Sequence, residues 1–321
     1  MGVWYAFEGE ECVQEVPRTG RRKFACVTGS WSLLGTWLVR VLLDNGYNVR
    51  FTIRTTVDEA AALMALPGAK QRLDLAQADI MDYGSLMEVF TGCDGVFHTS
   101  SPSDLVSTYP PEMVDFEVRG TLNIVEACAN SSVKRLVLTS SLSAMVWDQQ
   151  RHPEKVIDEK CWSNVDFCRS MKLWGPLAKT MSEKAAWSLA RDRGLDMVVI
   201  NPAIVLGLKM FGTTQCIFTY LKGILRSIGS PELPQSGLFA YVHVEDVAKA
   251  HVSALEATDA SGRYICFEDV VSEEKLVDLI RKLYPGSSIP SRFSKNGIAH
   301  VISNEKLKSL GVAFPAQQKI H

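Results

Sequence analysis

The stretch FACVTGSWSLLGTWLVRVLLDNGYNVRFTIR, residues 24–54, decides the fold. FACVTG (24–29) reads as a buried strand and residues 33–45 as an amphipathic helix, with a second apolar strand, NVRFTIR, over 48–54. FACV is a continuous apolar run, and short apolar strands each followed by a helix are the mark of a parallel sheet covered by helices on both faces. The same unit recurs outward from this stretch. A helix runs through DEAAALMAL (58–66), then come LDLAQAD (73–79), a helix near YGSLMEVF (83–90) and the strand GVFHTS (95–100). A long helix over 111–130 leads to KRLVLTSS (134–141), and a helix over 176–193 leads to DMVVINPA (196–203). Six strand–helix units of this kind predict an α/β fold, a doubly wound parallel sheet of the Rossmann type. After Pro202 the alternation loosens, and Pro and Gly cluster in GSPELPQSG (229–237). The expected organisation is an N-terminal tail over 1–22, a dinucleotide-binding domain from 23–202 and 240–268, and a smaller substrate lobe from 203–239 and 269–321.

Composition narrows the function classes. The chain has 321 residues, 46% hydrophobic and 22% charged, which is ordinary globular usage. Its 34 Lys and Arg against 36 Asp and Glu leave a net charge of −2, without the basic excess of a nucleic-acid or membrane-surface binder. The eight cysteines form no C-x-x-C and mostly lie in apolar runs, as in a reduced intracellular protein. The first residues carry acids where a signal peptide has its apolar core, so the expected location is the cytoplasm. The six histidines show no H-E-x-x-H, and no G-x-S-x-G is present, so neither a metal site nor a serine hydrolase is expected.

The turn TGSWSLLG joins the first strand to the first helix, with Gly29 and Gly35 six residues apart. Such a turn aims backbone N–H groups and a helix N-terminus at a pyrophosphate, here through Gly29, Ser32, Leu33, Leu34 and Gly35. Ser32 stands where a third glycine is usual and is expected to displace the cradle slightly. Arg54 closes the second strand, 19 residues after Gly35. An acid there would hold the ribose hydroxyl of NAD, whereas an arginine suits the 2′-phosphate of NADP. Asp79 and Ile80 follow the third strand and are candidates for the adenine edge; Asp79 is equally a candidate cap for the helix near Tyr83.

Ten segments stand together in one order: VTGSWSLLGTWLVR, ADIMDYGSL, VFHTSSP, RGTLNIVEAC, VLTSSLSA, DEKCWSNVDFCRS, LAKTMSEKAAW, NPAIVLG, YVHVEDVAKAH and GRYICFED. Over residues 24–315 the chain resembles the extended short-chain dehydrogenases/reductases, in particular the plant cinnamoyl-CoA reductase and dihydroflavonol reductase group. KLWGPLAKTMSEKAAWSLARDRG and ISNEKLKSL point to the cinnamoyl-CoA reductase-like branch. The resemblance implies NADP(H) as cofactor and a small aromatic carbonyl compound as substrate. It implies a Ser–Tyr–Lys group in which Ser141 bonds the carbonyl oxygen while Lys179 holds the nicotinamide ribose and lowers the pKa of the acid. Thr99, Ser100 and Ser101 would border the cofactor, and Pro202, Ala203, Ile204 and Val205 would lie against the carboxamide.

One position breaks the pattern. The acid should be a Tyr four residues before Lys179, and that residue is Gly175. Trp174 beside it does not ionise, and no Tyr lies between Tyr109 and Tyr220, so no sequence neighbour replaces it. Gly175 is expected to leave a phenol-sized hole for water or substrate. Two readings follow, a reductase with altered or residual chemistry and a non-catalytic NADP(H)-binding protein with a regulatory role. Val146 stands where the dihydroflavonol reductases place an Asn, which counts against a flavonoid. Asn123 is either a polar bridge or a catalytic residue, and Phe211, Phe218, Tyr220 and Phe239 either face substrate or fill core. By the same resemblance Cys161 and Cys168, in a loop before the catalytic helix, are candidates for a reversible bridge, with two packed thiols as the alternative. The long helices over 110–130 and 176–193 leave monomer and homodimer both open.

Overall fold

Strand β1 (Phe24–Thr28) shows why FACV is a continuous apolar run. Ala25 and Val27 pack into one apolar layer and Cys26 into the layer on the opposite side, so both faces of the strand are covered. The computed structural model describes residues 23–29, 32–53, 58–99, 109–152, 154–208, 238–283 and 301–314. After β1 come α1 (Leu33–Asp44), β2 (Asn48–Ile53), α2 (Asp58–Met64), α3 (Ala69–Arg72), β3 (Leu73–Gln77), α4 (Tyr83–Phe90) and β4 (Gly95–His98). The middle of the chain forms α5 (Glu112–Ala129), β5 (Arg135–Thr139), α6 (Ser143–Val146), α7 (Val165–Ser170), α8 (Trp174–Arg193) and β6 (Met197–Pro202). The remainder supplies β7 (Ile204–Leu206), β8 (Leu238–His243), α9 (Val244–Glu256), β9 (Gly262–Cys266), β10 (Asp269–Ser272), α10 (Glu273–Leu283) and α11 (Glu305–Lys308).

Seven parallel strands form the main sheet in the order β3-β2-β1-β4-β5-β6-β9. The order reverses between β1 and β4, which opens a crevice at their carboxyl ends. One apolar layer is built from α1 and α9, through Leu38, Leu42, Val247 and Phe97; the other from α4, α5 and α8, through Phe90, Ile124 and Ala186. The six expected strands are all present, and β9 adds a seventh. It pairs with β6 from Val198↔Gly262 to Pro202↔Cys266, a five-residue run whose tertiary pairing the local pattern did not disclose. A second sheet, β10-β8-β7, adjoins the carboxyl end of β6. The loop expected around WSNVDF is part helix: Asn164 caps α7 by accepting from Phe167 N at 2.8 Å. Among the described residues no helix is long and apolar enough to cross a membrane.

Candidate functional site

At the end of β1, Gly29 has φ 146°, a conformation open essentially to glycine alone. The chain then enters α1 through Ser32, whose Oγ accepts from Gly35 N at 3.0 Å. The Ser32 hydroxyl is therefore turned back onto the helix as its N-cap and is buried, rather than intruding on the turn. Leu33 and Leu34 open the first turn, where backbone N–H groups have no intrahelical partner and meet the positive end of the helix dipole. An anionic pyrophosphate fits this cradle.

Across the crevice, Thr99 donates to the Thr28 carbonyl from both its N (2.8 Å) and its Oγ1 (3.1 Å). Thr99 thus locks the end of β4 to the end of β1. Ser100, Ser101 and Arg54 lie outside the described residues, as do Phe211, Phe218 and Tyr220. Asp79 accepts from Met81 N at 2.9 Å, while the cap of α4 is Asp82, which accepts from Gly84 N. The helix-cap alternative for Asp79 is corrected by this turn, which places Asp82 one residue before the helix. The Ile80 carbonyl accepts from Asn123 Nδ2 at 2.9 Å, so Asn123 is the polar bridge between α5 and the β3–α4 turn. Ile80 packs so closely on Gly120 that a Cβ there would lie 2.6 Å from Ile80 Cδ1.

Ser141 follows β5, and its Oγ accepts from Ser143 N at 3.1 Å. Its carbonyl accepts from Asn201 Nδ2, which also donates to Glu183 at 3.0 Å. Glu183 lies one turn beyond Lys179 on α8, is fully buried, and accepts from Ser140 Oγ at 2.6 Å and from Arg263 Nε at 2.6 Å. This network ties the Ser141 loop to the helix that carries Lys179. Pro202 joins the frame by accepting from Leu142 N at 2.8 Å, and Ala203 N donates to the Cys266 carbonyl. Ile204 and Val205 then leave the main sheet to pair with Tyr241 and Val242 of β8.

Lys179 Nζ lies 2.7 Å from Glu117 Oε1, and Tyr109 Oη donates to Glu117 Oε2 at 2.5 Å. Burial, then the Glu117 charge and hydrogen bond, push the Tyr109 phenol well above its ordinary pKa, so it stays protonated. The same ring covers Gly175: a Cβ there would meet Tyr109 Cδ2 at 3.9 Å and Cγ at 4.0 Å. The hole expected at Gly175 is thus faced by a phenol ring from far upstream, brought in because α5 and α8 pack side by side. Burial, and after it the Lys179 charge, push His98 down to about 3. His98 Nδ1 is 2.7 Å from Thr28 Oγ1.

Sequence reasoning missed Tyr109, Glu117, Glu183, Asn201 and His98. A signal for Glu117 existed: with Val114, Thr121 and Ile124 it shares the buried stripe of α5, where an unpaired carboxylate would be costly. Cys161 and Cys168 are free thiols in two different apolar clusters. Burial raises the Cys168 thiol to about 11, which makes it a poor nucleophile. Phe239 packs against the core of the second sheet, as does Val146 against the cluster around Met145. Among the described residues no group of His, Cys, Asp and Glu is arranged to hold a metal.

Residues 25–266 match the NAD dependent epimerase/dehydratase family. The chain is 42% identical over 302 residues to cinnamoyl-CoA reductase 1 of Petunia hybrida, spanning 92% of this chain and 89% of that one. Among solved structures, vestitone reductase from alfalfa (Medicago sativa L.) superposes with a TM-score of 0.74 at 32% identity, covering 93% of this chain and 95% of that one. The Gre2–NADPH complex of Candida albicans shares the fold at a TM-score of 0.76 and 23% identity, over 93% and 96% of the two chains.

Proposed function

Because this chain belongs to the NAD dependent epimerase/dehydratase family, we propose that it is an NADPH-dependent reductase of a phenylpropanoid-like carbonyl compound, a CoA thioester, aldehyde or ketone. The observation that carries this reading is the hydrogen-bonded frame that ties the Ser141 loop through Asn201 and Glu183 to the helix of Lys179. The residues fit the cofactor: Gly29 leaves the turn bare, Leu33 and Leu34 present first-turn N–H groups, and Lys179 offers a cation to the ribose hydroxyls. When bound, the reduced nicotinamide supplies a hydride. Ser141 Oγ polarises the carbonyl oxygen, and Lys179 fixes the ribose by its charge. Pro202, Ala203, Ile204 and Val205 supply backbone beside the carboxamide. We read the sheet β10-β8-β7 as the floor of a substrate lobe built from 203–239 and 269–321, with β8 running on into the dinucleotide-binding segment at 240–243. Similarity to a cinnamoyl-CoA reductase and to a vestitone reductase favours an aromatic substrate.

Arg54, next after β2, supplies the preference for the 2′-phosphate. NADPH should bind more tightly than NADH by about 1.5–3 kcal/mol, and Arg54→Ala should erase the difference. The test is titration of wild type and Arg54→Ala with both cofactors, followed by NADPH oxidation with phenylpropanoid CoA esters, aldehydes and ketones. Equal affinities would overturn the cofactor assignment. NADPH binding without oxidation by any of the panel selects the non-catalytic reading, which the glycine at 175 alone favours.

A further inference from the structure

Reduction of a carbonyl needs a proton for the oxygen as well as a hydride for the carbon, and Gly175 removes the side chain expected to give it. The structure sets the ring of another tyrosine against that place. Tyr109 stands just before α5, and its ring packs in the cluster of Val114, Cys168, Leu173 and Leu177, facing the bare backbone of Gly175. Its hydroxyl is bonded to Glu117, and the second oxygen of Glu117 is bonded to Lys179. A buried carboxylate on the apolar stripe of α5 has no packing purpose, and among the described residues its side-chain partners are this phenol and this ammonium. The three groups form one chain, phenol to carboxylate to ammonium, along the face of α8 that carries Lys179.

On the footing of the reductase reading, we propose that Tyr109 is the proton donor of this protein and that Glu117, which holds the O–H until the carbonyl oxygen takes it over, is the positioning residue that couples it to Lys179. As the carbonyl carbon accepts the hydride, the C=O π bond opens onto oxygen, and that oxygen takes the proton of Tyr109 Oη. The phenolate left behind takes a proton through Glu117 from the Lys179 ammonium, which regains one from water. The alkoxide that forms is a stronger base than the phenolate, so the proton passes from Tyr109 to that oxygen. The groups that the phenol hydroxyl reaches are Glu117 and the Met113 carbonyl, both of α5, and Lys179 of α8 lies on the other oxygen of Glu117.

The test uses the full chain with Tyr109→Phe, Glu117→Gln and the double variant Tyr109→Ala/Gly175→Tyr. With whichever carbonyl compound of the panel wild type reduces, Tyr109→Phe should lower kcat about 10²–10⁴-fold while NADPH affinity is unchanged. The double variant, which returns a phenol from the helix, should be faster than Tyr109→Ala alone by about tenfold or more. A second readout needs no cofactor or turnover. The phenol proton held on a buried carboxylate should give a proton resonance downfield of the amides, lost in both Tyr109→Phe and Glu117→Gln. Full turnover by Tyr109→Phe overturns the donor role and leaves the reductase reading standing. Downfield spectra that are the same in wild type and Tyr109→Phe overturn the phenol–carboxylate link. Wild type that reduces none of the panel removes the reductase reading, and the donor role falls with it.

Discussion

Helix α8 carries two buried ion pairs one turn apart, and they are built differently. Glu183 with Arg263 is closed: the carboxylate is 0% exposed, and Arg263, Ser140, Asn201 and Trp187 all donate to it. Arg263 also stacks on Trp162 at 3.7 Å and donates to the carbonyls of Glu159 and Cys161. Glu117 with Lys179 is sparser: the side chains are 5% and 14% exposed, and Tyr109 is the carboxylate's other side-chain partner among the described residues. A fully satisfied pair has one arrangement and serves as a brace. A pair with spare hydrogen-bonding capacity is free to exchange partners.

Substitution breaks this contrast most directly. Glu183→Gln leaves Arg263 charged and buried, and should cost about 3–5 kcal/mol of stability, whereas Glu117→Gln should cost about 1–2 kcal/mol because Lys179 reaches solvent. Urea unfolding of the two variants checks it; equal losses would make both pairs mere braces. Acid sharpens the contrast next. His98 beside Thr28 and His251 beside Thr139 are pushed down to about 3 and about 4, chiefly by burial. Both are neutral when folded and regain values near 6.5 when unfolded, so the unfolded chain binds more protons below that pH. Their contribution is complete above pH 6.5 and is lost as pH falls toward 4, at about 2 kcal/mol each by pH 5. Unfolding at pH 7 and pH 5 should show this, and His98→Asn should lose about half of the histidine-dependent difference. Least of all, Gly175→Ala should change stability by only about 0.5 kcal/mol, in the stabilising direction, because its Cβ meets Tyr109 at an ordinary 3.9 Å. A large loss there would mean the Tyr109 ring lies closer to the helix than this contact allows.

The central strands β1, β4, β5 and β6 were legible because a strand covered on both faces writes itself as a nearly continuous apolar run, and β2 and β3 followed from the strand–helix alternation. The Gly29 turn was legible because its φ demands the residue type that stands there. Strand β9 was not, since five residues of GRYIC become a strand only by pairing with β6. The role of Ser32 was half legible: its type suits a helix cap, but which way the hydroxyl turns is decided by Gly35 N.

What the sequence determined by itself was therefore local and periodic: the parallel α/β sheet, the glycine at the first strand–helix turn and the absence of a tyrosine at 175; the interest of Ser141 and Lys179 came from the family resemblance. The tertiary structure alone decided what faces that glycine. The side-by-side packing of α5 and α8 carries Tyr109 and Glu117 to Lys179. A contact between residues so far apart in the chain depends on how two helices lie against the sheet, and no spacing within either helix encodes it.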